Sequence, residues 1–554
     1  MATKLSRKQL PAGTTPSDFT YKGVPARDQG DFGSSVGIAD LVCVNQFGEA
    51  NNSKYYHGGV VQAKTGNWFV YLEWGRIVSV QSWNGSTFAG GDFQFVQCDS
   101  EADARAFFQK QCTSKNTKRL TQRVIGGKTI WTALDGEDGY LVQRLATRTR
   151  GLPDACSIKD DTGIVKATAP VTASVPDKKT AKKKTTAKVA HQPAVMKLAA
   201  DLVGGVQNYT RALSAAAGVT PTMDAITEVR DELVPLALQR IQAVGNDIQM
   251  QVRDADLIGL SKLVSALVPR EIPRTGISAE EAILSAGNIM RLQQDLDAFE
   301  AALKSESFDV TESSSETDPC TLLNAGVVWL DPKSPEWQKI VRCLLQQTNN
   351  RHGYLSGTMR VMNLFKIERP DRDAKFMAAA SAVAGKRQGR FSVKANLQPV
   401  RSDLTPSEAE VYGMANVIFT QHGTRSVNIH PIMSTHFRLP KQLSGVPLAG
   451  ANFGHGTYSA VDYRKAVGYT SYERSAWGGG NGAIRGRGAF MFLLDTIMGE
   501  AYLAPSTGSW TQPPNGCDSV FGRGGDRGHR LENDEHVVFD PNRNRIRYLV
   551  EFTF

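Results

Sequence analysis

The sequence predicts a multidomain α+β protein, and three changes of hydrophobic period along its 554 residues predict it. From Ala39, short β-rich runs alternate with Asn/Gly turns around one helical stretch, the pattern of a small α+β module. From Pro193, apolar residues recur at helical spacing, which predicts an all-α bundle. Beyond about residue 307 strands and helices mix again, which predicts a mixed α+β core. The length agrees, because one hydrophobic core rarely holds so long a chain. The expected divisions are a flexible N-terminal arm at 1–36, the first module at 37–150, a basic linker at 151–192, the bundle at 193–306 and the last domain at 307–554.

The arm is rich in Gly, Pro, Ser, Thr and charge and has no clear period. In the first module, Leu41-Val42-Cys43-Val44, Tyr55-Tyr56 and Trp68 to Leu72 read as strands of a small antiparallel sheet. Ser100 reads as the N-cap of a helix through Gln111, with Asp103 three residues on and Ala104, Phe107 and Phe108 on one face. Within the linker, Asp177 to Lys188 is basic and of low complexity, so like charges repel and nothing packs. A nuclear localisation signal, a DNA tether and a plain solvated linker all fit it.

Val195, Leu198, Ala199, Leu202, Val203 and Val206 share a helical face, as do Ile289, Leu292, Leu296, Phe299 and Leu303. Ser278 and Glu281 form a capping box expected to open the last major helix. Gly204-Gly205 and Pro235 are expected to weaken their helices. After an acidic, Ser-rich hinge at 309–319, Val327 to Leu330 is an expected strand, Pro335 to Gln346 a helix and Val361 to Ile367 a strand. Ile546, Tyr548, Val550, Phe552 and Phe554 alternate with Arg547, Leu549, Glu551 and Thr553, predicting a half-buried final strand.

A formal charge of +9 permits an acidic partner such as nucleic acid. The seven cysteines include no CxxC pair, so neither a zinc site nor a disulfide framework is expected, and the thiols read as reduced. No run of about 18 apolar residues and no apolar leader core occurs, so neither a membrane span nor secretion is expected.

The chemistry-bearing stretches are Gln421-His422-Gly423-Thr424-Arg425, Gly456-Thr457-Tyr458-Ser459-Ala460 and Asp534-Glu535-His536. Each alone is more often structural. Together they supply an imidazole, an aromatic ring and a carboxylate on strand-like runs, a set able to grip a nucleotide and attack a sugar. They resemble the His-Tyr-Glu triad of the poly(ADP-ribose) polymerases, and the run Gly456 to Tyr469 resembles that family's Tyr strand, Lys and second Tyr. The resemblance implies an ADP-ribosyltransferase core of two antiparallel sheets, with NAD as substrate and no metal. It also implies roles: Gly423 holds the carboxamide through its backbone, with Thr424 and Ala466 in the same site. Tyr469 stacks on nicotinamide, Tyr458 lines the opposite wall and His422 bonds the adenosine ribose. Glu535 would bond the nicotinamide ribose and stabilise its cationic form, a task that an anionic acceptor suits. Lys465 is either a helper of the acceptor or a surface charge. Ala466 stands where the family usually has Ser, Ser459 replaces a common aromatic, and Asn452 replaces a frequent Met.

Trp74-Gly75-Arg76, with Asn51 to Tyr56 before it and Lys115 to Arg119 after it, resembles the WGR domain. That resemblance implies DNA-end binding through Lys54, Trp74 and Arg76, since an indole stacks without sequence preference and Arg meets phosphate bidentately. The alternative is a core Trp beside a solvated Arg. Glu73, an acid where some relatives carry a base, argues for weaker binding. The bundle, by its position alone, resembles the helical regulatory domain of DNA-dependent members. The expected partners are DNA ends or breaks and protein acceptors including the chain itself, in a nucleus if the source is eukaryotic and otherwise in cytoplasm or nucleoid. A mono-ADP-ribosyltransferase and a catalytically weak DNA-binding scaffold are the alternatives. A redox NAD enzyme is disfavoured, because Gly478 to Gly486 follows no clear strand, does not spell GxGxxG before a helix and reads as an exposed loop.

Overall fold

The computed structural model describes residues 3–6, 20–21, 24–25, 38–43, 54–62, 68–76, 92–115, 120–133, 139–142, 145–148, 191–214, 219–268, 277–305, 319–346, 355, 357–392, 404–439, 452–526, 528 and 531–554. Most of the expected arm, of the basic linker and of the acidic hinge lies outside these residues. The chain divides into two compact units, Met1–Ala187 with Thr210–Phe299, and Lys188–Tyr209 with Glu300–Phe554.

In the first unit a six-stranded antiparallel sheet runs in the order Thr3–Ser6, Asp92–Cys98, Trp68–Arg76, Lys54–Gln62, Ile38–Cys43, Leu141–Val142. Val60, Val70, Leu72 and Val96 are buried, as are Ala104 and Phe108 of the helix Glu101–Lys115. The Ser100 hydroxyl accepts from the Asp103 amide at 3.1 Å, the cap expected from sequence, and the helix continues past Gln111 to Lys115. The hairpin Leu120–Ile125 and Lys128–Ala133 turns through Gly126 and Gly127, both at positive φ, which glycine adopts without steric cost. Arg123 reaches Asp256 at 3.5 Å, and Lys128 reaches Glu228 at 3.4 Å and also Glu232.

One helical expectation changes and one holds. The Ser278–Glu281 capping box forms, but it opens the four-residue helix Ala279–Ala282. Ile283 then turns extended at ψ 148°, and Ala286–Lys304 begins as a separate helix. Pro235 lies inside one continuous helical run, 223–244, as expected, and its missing N–H weakens the ladder there. The irregularity precedes it as the π-turn Val229–Leu233.

The second unit holds two sheets. The larger runs Gly326–Trp329, Arg360–Glu368, Asn544–Thr553, Ala489–Ile497, Val417–Gly423 and is antiparallel throughout. The smaller runs Thr457–Ser459, Glu535–Val538, Ser519–Gly522, Ala501–Leu503. Its last pair is parallel, a correction to the expected all-antiparallel core, because the chain between them crosses over instead of turning back as a hairpin.

The final strand is also buried on both faces, not half-buried. Its charges are matched inside: Arg547 donates to Asp495 at 2.7 Å, and Glu551 meets Arg487 at 2.8 Å and Asn363 at 2.8 Å. The helix Pro193–Ser214, through Tyr209, supplies part of this core. Val195, Leu198, Ala199 and Leu202 pack in one cluster with Phe365, Ile367, Phe490 and Phe492. Gly205 is what lets the helix come so close, since a Cβ there would stand 2.7 Å from Ile484 Cγ1. The second glycine of the pair that weakens the helix in isolation therefore serves its docking.

Burial lowers the pKa of His430, His436 and His536 to about 4, because an imidazolium is poorly solvated there. Unfolding frees each to titrate near about 6.5, so the unfolded state binds more protons between those values and stability falls as pH drops from about 6.5 to about 4. Thermal melts across that window are expected to show the fall, and His436→Asn to reduce its slope. An equal slope in the variant contradicts this account.

Candidate active site

The site is built where the edge of the larger sheet meets the smaller one. Strand Val417–Gly423 ends beside Thr457–Ser459, and one two-way backbone bridge ties them: Gln421 N donates to Ala460 O at 2.6 Å, and Ala460 N to Gln421 O at 2.9 Å. His422 follows that bridge. Its Nδ1 lies 2.8 Å from Tyr458 O, and a carbonyl only accepts, so Nδ1 carries the proton. Burial lowers the imidazole pKa, which keeps the ring neutral and leaves Nε2 as a lone-pair acceptor. Phe437 packs edge-on against the ring, with centroids 4.9 Å apart.

Tyr458 is fixed by its own loop: its hydroxyl donates to Gly454 O at 2.9 Å and accepts from Phe453 N at 2.8 Å. Burial pushes the phenol pKa up, and the nearby Glu535 and Tyr469 add to the rise. Strand Glu535–Val538 pairs with both Thr457–Ser459 and Ser519–Gly522, which seats Glu535 at the start of the central strand of these three.

Lys465 lies on the short helix Tyr463–Val467. Asp462 caps it by accepting from Arg464 N at 2.9 Å, and Arg464 donates to Leu355 O at 2.6 Å and Gly357 O at 2.7 Å. The turn so held aims Lys465 Nζ to 2.6 Å from Glu535 Oε1, with both side chains under 10% exposed. Of the two readings left open for this lysine, the surface charge is excluded. Glu535 Oε2 is buried and has no hydrogen-bond partner among the described residues. An unpaired buried acceptor costs about 1–3 kcal/mol.

Gly423 has no room for a side chain, since a Cβ would stand 1.8 Å from Ala466 O. Ala466 is buried, and Tyr469 N donates to its carbonyl at 3.1 Å. The Thr424 hydroxyl accepts from Asn428 Nδ2 at 2.9 Å, so it braces the following turn. Tyr469 stacks on Trp477, with centroids 4.6 Å apart and planes 20° off parallel. Trp477 was not singled out by sequence, because a lone aromatic among glycines carries no period. Restoring a hydroxyl with Ala466→Ser is expected to tighten nicotinamide inhibition by about 0.5–1.5 kcal/mol, measured as product inhibition; unchanged inhibition counts against a carboxamide at this position.

The DNA-binding candidates lie elsewhere, in the first unit. In the pairing of Lys54–Gln62 with Trp68–Arg76, Lys54 stands opposite Arg76 and Tyr56 opposite Trp74. Trp74 is half-buried and stacks on Tyr56 at 6.4 Å between centroids. The Lys115 amine lies 5.6 Å from the Tyr56 ring and 5.5 Å from that of Tyr140. The side chains of Glu73 and Arg76 lie outside the described ones.

Among the described residues no group of three or more His, Cys, Asp or Glu is placed to hold a metal. None of their helices is long and apolar enough to cross a membrane. No curated protein matches the chain significantly. Residues 334–528 match the family model of the poly(ADP-ribose) polymerase catalytic domain, a span that includes His422, Tyr458, Lys465 and Tyr469 and stops before Glu535. Glu535 joins the site through its contact with Lys465 and through its strand, in which Val537 pairs with Tyr458. The C-terminal part of the chain therefore carries a catalytic domain of the poly(ADP-ribose) polymerase family, and the protein is an NAD+ ADP-ribosyltransferase.

Proposed function

We propose that the enzyme builds poly(ADP-ribose) on itself and on neighbouring proteins when residues 37–150 engage a DNA end, as part of a response to DNA damage. The observation that carries the catalytic half is the buried Glu535, held through Oε1 by Lys465, with no hydrogen-bond partner for Oε2 among the described residues. In the reaction the bond between nicotinamide nitrogen and ribose C1′ breaks, and positive charge develops on the sugar. Glu535 Oε2 accepts from a hydroxyl of that ribose, and its negative charge lies where the positive charge grows. His422 Nε2 accepts from a hydroxyl of the other ribose, while Tyr469 and the Gly423 backbone hold the departing ring and amide. The incoming acceptor oxygen bonds C1′ as neutral nicotinamide leaves, and its proton passes to water. Elongation reuses the same carboxylate to orient the hydroxyl of a previous ADP-ribose. Glu535→Gln is expected to stop polymer growth, read as product length on a gel; unchanged length assigns elongation to another group.

The DNA half is supported by the ladder positions of Lys54, Arg76, Trp74 and Tyr56, which set two cations and two aromatic rings on neighbouring strands. Aromatic stacking contributes about 1–3 kcal/mol per base and is tolerant of sequence. Trp74→Ala is expected to weaken binding to a blunt duplex by about that amount and to remove stimulation while basal activity persists. Lys54→Ala is expected to lower the salt slope by about one. Binding that ignores salt, or full stimulation in both variants, rejects this half.

A further inference from the structure

We infer that Tyr209 is a positioning residue for NAD: through Arg425 it holds the turn that carries Gly423 and Thr424, so the helix Pro193–Ser214 is a support of the site. This rests on the reading of the Gly423 backbone as the group that holds the carboxamide. The Tyr209 hydroxyl accepts from Arg425 Nη1 at 2.7 Å, and Arg425 Cζ lies 5.3 Å from the centre of the phenol ring. A hydrogen bond from a charged donor is among the stronger ones, and the face of the ring adds to the attraction.

The helix offers that hydroxyl from a fixed base. Leu198 and Leu202 are buried in one cluster with Phe490 and Phe492, and Asp201 Oδ2 lies 3.6 Å from Arg487 Nη1. About one turn before Tyr209, Gly205 packs so closely that a Cβ there would stand 2.7 Å from Ile484 Cγ1. Gln207 Nε2 donates to Ser305 O at 2.9 Å, a buried bond on the same turn. Pinned at these points, the phenol has little freedom to follow Arg425, and the arginine is instead held to it.

Arg425 follows Gly423 and Thr424 directly and opens the short helix Ser426–Asn428. Asn428 N donates to Arg425 O at 2.9 Å and Asn428 Nδ2 to the Thr424 hydroxyl at 2.9 Å, so Thr424 and Arg425 belong to one braced turn. Past Arg425, Ser426 N donates to Ser471 Oγ at 2.8 Å and Val427 N to Gly482 O at 3.1 Å. Those bonds fix the turn through its backbone, and Tyr209 fixes it through a side chain. At its other end Gly423 has little slack, since a Cβ would stand 1.8 Å from Ala466 O. A displacement of Arg425 is therefore passed to the amide and carbonyl assigned to the carboxamide. Groups held in place before the ligand arrives lose less freedom on binding, which strengthens binding without touching the bond that breaks.

The test uses the full chain with NAD as substrate, and nicotinamide and pyridine as inhibitors. Pyridine is nicotinamide without its carboxamide, so the ratio of the two inhibition constants reads the grip on that group. Tyr209→Phe keeps the ring and removes the acceptor. It is expected to raise the KM for NAD and the nicotinamide constant about threefold to tenfold, with kcat within about twofold and the pyridine constant unchanged. Arg425→Gln is expected to raise the same constants, and adding Tyr209→Phe to it raises them no further, because the phenol acts through that guanidinium. A parent that prefers nicotinamide to pyridine, with KM and preference unchanged in Tyr209→Phe, overturns the inference alone. A lowered KM in that variant also overturns it, since the helix would then hold the turn away from its binding position. An equal rise of both inhibition constants overturns it too, because the loss is then a general loosening of the site. A parent that shows no preference for nicotinamide overturns the reading of Gly423 and this inference with it.

Discussion

Glu535→Gln is expected to lower the rate of nicotinamide release by roughly two to three orders of magnitude, about 2.7–4 kcal/mol, the usual loss when one preorganised charge-stabilising group is removed. The side chain keeps its shape and loses its charge. The same change strips Lys465 of its partner, and a buried cation left unpaired destabilises by about 3–5 kcal/mol. An activity assay alone does not separate lost chemistry from lost folding. Lys465→Met in the Glu535→Gln background removes the unpaired charge, so this double variant is expected to regain the melting temperature and stay inactive. Recovery of activity along with stability would show that the carboxylate only props up the fold.

A chain beginning at residue 307, where the last domain was expected to start, is expected to lose cooperative unfolding. Such a chain lacks Val195, Leu198, Ala199 and Leu202, which are at most 1% exposed in the cluster with Phe365 and Phe492. Removing a single buried Leu side chain there costs about 2–5 kcal/mol, comparable with the whole stability of many domains. It also lacks the paired bonds of Glu300 to Arg438 at 2.8 and 3.2 Å, and the bond from Gln207 to Ser305 O at 2.9 Å. Residues 188–209 joined by a short linker to 300–554 are expected to melt cooperatively. Differential scanning calorimetry of the two chains decides; equal cooperative transitions would show that the helix is dispensable to this fold.

Much of the secondary structure was legible because local signals and tertiary context agree. The helix Pro335–Gln346 has the bounds its period suggests, and the Ser100 cap forms. The misreadings arise where distant partners decide. Arg547 and Glu551 alternate with apolar residues as an exposed face would, yet Asp495 and Arg487, remote in sequence, bury them. Ser278 carries a true capping signal, but nothing local announces that Ile283 turns extended a few residues later. Gly205 reads as a weak point until Ile484 is seen against it. The candidates His422, Tyr458, Lys465, Tyr469 and Glu535 could be named from sequence only through their resemblance to a family pattern, since each alone reads as structural. Their pairings could not be named: the Lys465–Glu535 contact and the Tyr469–Trp477 stack join separate segments of the chain, and no spacing encodes them.

The most direct test of the account is incubation of the full chain with NAD labelled in its ADP-ribose part, with and without a blunt DNA duplex, scoring free nicotinamide and protein-bound label together. The account predicts nicotinamide release matched by label on protein, stronger with DNA and lost in Glu535→Gln. Neither nicotinamide nor labelled protein from the folded chain, with or without DNA, would contradict it.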